Sequence, residues 1–324
     1  MTRKISALLT LLLCCFAPFF QAPALAHTPL ENRTISAAGD PSPAAQLGDD
    51  YRLYLPVVRR EYGFSASGLG PYTGRVLGMG QDPANPANLY AMTYGSGMYK
   101  STDYGACWSP SSVGITNLTL QSMAVDPVNP NTVYAGAYGD AAVPYNGVYK
   151  STNGGLTWSA TGEMANVWNG VRYNVPIIYA LAVDPLHPNR IFAGTRMRYL
   201  PAGSLGGGGV FRSENGGASW TPVNAGLPGV DLYIYDVYVD AARPGVVYAA
   251  LHQHGLYRSD NYGNSWYPLN GTPYAGRAVS VDPYSSSTIF FGAVKKLGLN
   301  RSTNNGASWA QVGSGGWDVA VGAV

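Results

Sequence analysis

The chain has 324 residues, a formal net charge of +2 at pH 7, and only 12% charged residues, against about 25% in ordinary soluble domains. So slight a net charge does not imply nucleic acid or an anionic membrane surface as a partner. Glycine (41), tyrosine (24) and proline (23) are abundant instead, a composition of short strands, tight turns and aromatic packing.

Residues 1–26 read as a secretory signal. Arg3 and Lys4 are followed by a largely apolar stretch from Ile5 to Phe20, and Ala24-Leu25-Ala26 has the form of a cleavage site. The alternative is a lipid anchor on Cys14 or Cys15, although Leu12-Leu13 lacks the small residue that normally precedes a lipidated cysteine. Removal of the signal leaves Cys107 as the one thiol, which excludes an internal disulfide and a cysteine-based metal site. No later stretch is apolar for long enough to span a bilayer. Residues 27–71 are expected to be a linker with one strand in Tyr51-Arg-Leu-Tyr-Leu-Pro-Val-Val-Arg-Arg60. Asn32, Asn117 and Asn270 head Asn-x-Ser/Thr sequons, relevant where the host glycosylates secreted proteins.

From residue 72 to 324 the chain repeats itself. One octapeptide occurs five times: Ser101-Thr-Asp-Tyr-Gly-Ala-Cys-Trp108, Ser151-Thr-Asn-Gly-Gly-Leu-Thr-Trp158, Ser213-Glu-Asn-Gly-Gly-Ala-Ser-Trp220, Ser259-Asp-Asn-Tyr-Gly-Asn-Ser-Trp266 and Ser302-Thr-Asn-Asn-Gly-Ala-Ser-Trp309. Asp103, Asn153, Asn215, Asn261 and Asn304 are expected to hold a turn through side-chain bonds to nearby backbone N–H groups. The glycine two places on suits positive φ, and Trp108, Trp158, Trp220, Trp266 and Trp309 bury a large ring where the next strand begins. Ahead of each box lies a strand, a turn that begins Asp-Pro in four of the five, and a second strand, as in Val125-Asp-Pro-Val-Asn-Pro-Asn-Thr-Val-Tyr-Ala135, with looser copies from Val239 and Val281. Each unit therefore reads as four antiparallel strands, one blade of a propeller. The chain closes with Trp317-Asp-Val-Ala-Val321, which matches a first strand and predicts a partial sixth blade.

These boxes resemble the Asp-box (BNR) repeats of sialidases, sortilin-type receptors, xyloglucan-cleaving glycosidases and Ycf48-type assembly factors. The resemblance implies an all-β propeller and says little about function, because Asp boxes support blades at their periphery in those families. Sialidases also need arginines that clamp a carboxylate and a Tyr–Glu nucleophile pair. Tyr51-Arg-Leu-Tyr-Leu-Pro56 carries two residues more than their first arginine motif, and of the few glutamates only Glu163 suits the pair. Where the xyloglucanase type places a catalytic Asp just before its first box, this chain has Tyr94. Aligning the ends of the first strands puts Asp236 and Asp318 level with Gly78, Ser122, Ala180 and Ala278. Asp140, Glu163, Asp236 and Asp318 are the candidate catalytic acids, and structural hydrogen bonding is the competing role for the aligned pair.

Propeller ligands bind at the face built by the loops joining strands two and three and by the loops between blades. The candidate ligand-binding residues there are Tyr94, Tyr145, Trp168, Arg172, Arg196, Arg198, Tyr199, His252, His254 and Arg277, with insertions at Gly162–Asn174 and Met197–Gly209, the second a candidate flap. Aromatic faces suit sugar rings, and Tyr, Trp and Arg also mark protein interfaces. His252 and His254 flank one residue, but no third metal ligand accompanies them, and no cofactor motif is present. The expectation is a secreted module that recognises a glycan or an extracellular protein without catalysis. The alternatives are a glycoside hydrolase of sialidase-like or related type, and an assembly factor of the Ycf48 type.

Overall fold

Each box closes a four-stranded antiparallel sheet whose strands follow one another in chain order. The computed structural model describes residues 75–139, 147–164, 166–168, 171–173, 176–197, 208–229, 232–294 and 298–312, all within the unit Leu55–Val324. Blade 1 comprises β1 (Val76–Gln81), β2 (Leu89–Thr93), β3 (Gly97–Ser101) and β4 (Ser109–Pro110); blade 2 comprises β5 (Leu120–Val125), β6 (Val133–Ala137), β7 (Val148–Ser151) and β8 (Ser159–Ala160). A hairpin of β9 (Asn166–Trp168) and β10 (Val171–Tyr173) fills the first insertion. Blade 3 comprises β11 (Pro176–Val183), β12 (Ile191–Met197), β13 (Gly208–Ser213) and β14 (Thr221–Pro222). Blade 4 comprises β15 (Ile234–Val239), β16 (Val247–Leu251), β17 (Gly255–Ser259) and β18 (Tyr267–Pro268); blade 5 comprises β19 (Gly276–Asp282), β20 (Ser285–Ala293), β21 (Leu299–Ser302) and β22 (Ala310–Val312). First strands of successive blades pack together, β1 on β5, β5 on β11, β11 on β15 and β15 on β19. The fold is the multi-blade β-propeller that the repeat predicts. The signal, the linker and the strand at 317–321 lie outside the described residues.

The core sits between facing sheets. Tyr90, Met92 and Met98 of blade 1 pack with Leu120, Val133, Ala135 and Tyr149 of blade 2, under Trp158. The same layering recurs further along, with Phe192 and Val210 of blade 3 against Ile234, Val237 and Val247 of blade 4. Second strands are buried on both faces, which is why Val133-Tyr-Ala-Gly-Ala137 is apolar throughout rather than alternating.

The boxes work as their residues imply. In the second copy the buried Ser151 hydroxyl donates to Asn153 Oδ1 and accepts the N–H groups of Asn153 and Gly155. Asn153 Oδ1 also accepts the Thr157 N–H, and its Nδ2 donates to Thr157 Oγ1. Trp158 Nε1 then donates 2.7 Å to the Ser111 carbonyl of the blade before, as Trp266 does to Val223. The residue ahead of each of the first three boxes reaches the other way: Lys100 Nζ donates to Gly154 O, Lys150 Nζ to Gly216 O and Arg212 Nη1 to Tyr262 O, each in the following box. Box side chains thus join blade to blade as well as closing turns.

Candidate ligand-binding face

The boxes and Asp-Pro turns share one end of the blades. Asp126 shows how the turns are held, its Oδ1 accepting the N–H groups of Val128 and Asn129. The opposite end carries the loops between strands two and three and the entries into each first strand, and two positions that repeat in every blade come together there.

The first is a β-bulge. The register of every first strand slips near its start against its partner, between Val76 and Gly78, Leu120 and Ser122, Ile178 and Ala180, Ile234 and Asp236, and Gly276 and Ala278; β19 slips a second time between Val281 and Asp282. The extra residues are Leu77, Gln121, Tyr179, Tyr235 and Arg277. A bulge bends its strand and re-aims the side chain it inserts. Side chains from adjacent blades therefore meet: the rings of Tyr179 and Tyr235 make an edge contact at 4.9 Å, and the Arg277 guanidinium lies 4.2 Å from the centre of the Tyr235 ring.

The second position follows the body of each second strand and is filled by Tyr94, Tyr138, Arg196, His252 and Val294. The backbone marks the equivalence, because Tyr94 N–H donates to Arg75 O, Tyr138 to Thr119, His252 to Tyr233 and Val294 to Ala275. Tyr94, 46% exposed, meets Tyr138 edge-on at 5.7 Å. Arg196 stacks over Tyr233 at 4.3 Å, and His252 contacts Tyr233 and Tyr235 at 6.0 and 5.2 Å. The result is a run of rings and cations from Tyr94 in blade 1 to Arg277 in blade 5.

The electrostatics follow from this packing. Burial works against the Arg196 charge, but the hydroxyls of Tyr179 and Tyr233 outweigh it and hold the guanidinium above its ordinary pKa. Burial likewise pushes the Tyr179 hydroxyl up, and its bond to Arg196 pulls only part of the way back. Asp236, one residue past the bulge, has Oδ1 on the Val237 N–H and Oδ2 on the Val279 N–H of blade 5. Desolvation raises its pKa to about 6 despite those two bonds and the Arg277 charge.

Of the residues expected at a ligand site, Tyr94, Arg196, His252 and Arg277 are thus brought together. His254 occupies the same β16–β17 turn as His252, with its buried Nε2 unbonded. Among the described residues no group of three His, Cys, Asp or Glu side chains is placed to hold a metal. Trp168 and Arg172 lie in the β9–β10 hairpin, where the backbone alone is described. Tyr145, Arg198 and Tyr199 lie outside the described residues, as do Asp140, Asp318 and the flap segment 198–207. Glu163 is exposed and follows Gly162, whose N–H is tied to Gly217 of the third box. Tyr138, Tyr179, Tyr233 and Tyr235 join the cluster without being among the residues expected there. Aligning the blades residue by residue, at the last position of strand two and the bulge of strand one, would have found them.

No family model and no curated protein sequence matches the chain. Solved structures do match its fold. An ancestral GH74 enzyme is 24% identical with a TM-score of 0.58, over 74% of this chain and 31% of that one. The extracellular domain of a hybrid two-component system from B. thetaiotaomicron is 17% identical with a TM-score of 0.53, over 74% and 30%. YCF48 from Cyanidioschyzon merolae is 13% identical with a TM-score of 0.43, over 74% and 85%. The chain spans about a third of the length of the first two. The likeness is one of fold.

Proposed function

We propose that this chain is an exported, non-catalytic recognition module that binds a glycan across the Tyr94–Arg277 face. The observation that carries the reading is the clustering of tyrosines 94, 138, 179, 233 and 235 from four blades at the end opposite the boxes. Each T-shaped contact covers one face of one ring and leaves other faces on which pyranose rings stack, and tyrosines give up little side-chain freedom on binding. Glycoside hydrolysis generally needs two carboxyl groups about 5–10 Å apart. Asp236 follows Tyr235 in the chain, and both its oxygens are engaged by backbone N–H groups. Export rests on the signal-like residues 1–26, and no helix among the described residues is long and apolar enough to cross a membrane.

The test is a glycan array probed with the purified, exported protein, alongside Tyr94→Ala and Tyr235→Ala variants. Binding to one class of sugar that both variants weaken by about tenfold or more is the expected result. An array without binding would overturn the glycan reading.

A further inference from the structure

Six of the described arginines fall into two kinds, while Arg75 and Arg301 are exposed and belong to neither. At the box end, Arg190, Arg212, Arg243 and Arg258 each pair with a carboxylate, at 3.0 Å to Glu214, 2.8 Å to Glu214, 2.7 Å to Asp240 and 2.6 Å to Asp260 respectively. On the tyrosine face, Arg196 and Arg277 make no ion pair with any described residue. Each instead lies over a ring, Arg196 over Tyr233 and Arg277 over Tyr235, and His252 touches both of those rings. Arg196 Nε is buried and has no hydrogen-bond partner. The described carboxylate whose field reaches Arg277 is Asp236, which is already bonded to two backbone N–H groups.

A guanidinium over a ring leaves edge N–H groups for a bidentate carboxylate. Arg277 has no hydrogen bond to a described residue, whereas at Arg196 the carboxylate must share the guanidinium with the Tyr179 and Tyr233 hydroxyls. Two such forks interleaved with tyrosines match a chain of sugar rings that bear carboxylates. We infer that the face recognises an acidic polysaccharide built of hexuronate units, with Arg196 and Arg277 each taking a carboxylate and Tyr179, Tyr233 and Tyr235 receiving the rings. This inference rests on the glycan reading above and narrows it to one chemical class.

The experiment is calorimetric titration of the exported protein with oligogalacturonate and oligomannuronate, with their methyl esters, and with uncharged gluco- and xylo-oligosaccharides. The esters keep the rings and remove the charge. The expected result is binding of an acidic oligomer at least about tenfold tighter than its ester, weakening as salt rises. Arg196→Gln and Arg277→Gln should each cost about tenfold or more. Arg277→Lys should keep part of the affinity, since the charge survives without the fork. Arg301→Gln removes an exposed charge at the box end and should leave binding unchanged. Thermal melts of all variants show whether each remains folded.

Binding of ester and acid alike, or arginine variants that are folded and bind normally, would overturn the acidic-ligand inference while leaving a glycan module standing. Binding of no sugar, charged or neutral, would overturn the inference and the glycan reading together. Binding of acidic peptides but of no acidic sugar would do the same and point to a protein partner.

Discussion

Asp236 Oδ2 accepts the Val279 N–H at 2.8 Å, across the seam between blades 4 and 5. The equivalent Ser122 joins blades 2 and 3 by donating to the Ile178 carbonyl, so this position carries polar ties between innermost strands. The serine makes its tie without charge. The aspartate must desolvate a carboxylate, which moves its pKa from the ordinary 3.8 to about 6. The folded chain therefore holds the proton more tightly than the unfolded chain. That contribution to stability is full below about pH 4, is lost as pH rises through 6, and is constant above. Against Asp236→Asn, whose amide does not titrate, the native protein should lose roughly 1 to 3 kcal/mol between pH 4 and pH 7. Urea unfolding of both proteins across that range checks this, and parallel curves would show that Asp236 has no raised pKa.

The first box differs chemically from the other four. In those, the Asn Nδ2 donates to a Ser or Thr hydroxyl four residues on. Asp103 has no donor to offer, and at the matching place stands Cys107, whose thiol bonds the carboxylate and helps lower its pKa against the larger effect of burial. Asp103→Asn alone faces a donor with a poor acceptor, and Cys107→Ser alone leaves the carboxylate in place with a stronger donor. The asparagine variant should lose about 1 kcal/mol, the serine variant should be near neutral, and the double variant should recover the loss. A double-mutant cycle by chemical denaturation measures the coupling.

The fourth residue of every box has positive φ. Glycine fills it in boxes two and three, while Tyr104, Tyr262 and Asn305 sit there at φ near 58 or 59°. A side chain in that conformation costs roughly 1–2 kcal/mol, partly offset by the rigidity glycine lacks. Tyr104 is 74% exposed, so Tyr104→Gly should stabilise the fold by about 0.5–1 kcal/mol. Tyr262 has its ring under the Arg190 guanidinium at 3.9 Å, and Tyr262→Gly should be at least about 1 kcal/mol less favourable than the change at 104. Urea midpoints of the two variants decide the order.

Two sequons in the described residues have opposite surroundings. Asn270 is exposed, whereas Asn117 is 3% exposed, with Nδ2 donating to the Tyr138 carbonyl and Oδ1 accepting the Thr119 N–H. Folded protein secreted from a glycosylating host should carry sugar at Asn270 and none at Asn117, as read by peptide mass spectrometry. Asn117 is also a positioning residue for Tyr138. Asn117→Ala should cost about 1–3 kcal/mol and weaken binding at the tyrosine face, whereas loss of the Asn270 sequon should do neither.

The octapeptide was enough to establish the architecture, because the Ser and Asp/Asn side-chain bonds that close a box lie within eight consecutive residues. Ser151, Asn153, Gly155 and Thr157 meet through the turn they themselves form, and repetition at blade spacing then allows one arrangement of sheets. The partners of the box tryptophans were not legible in this way, since Trp158 finds Ser111 only when one blade lies against the next. The site was half legible for the same reason. Tyr94, Arg196, His252 and Arg277 stood out because they sit in or beside loops. Tyr179 and Tyr235 look like ordinary strand residues, and Tyr138 like the tail of an apolar strand. Their position on the face comes from the bulges and from the packing of first strand on first strand. A one-residue slip redirects a side chain, and the neighbour it then meets is about 40 to 60 residues away in the chain. Local chemistry thus determined the blades, and only the tertiary structure decided which rings and cations share a surface.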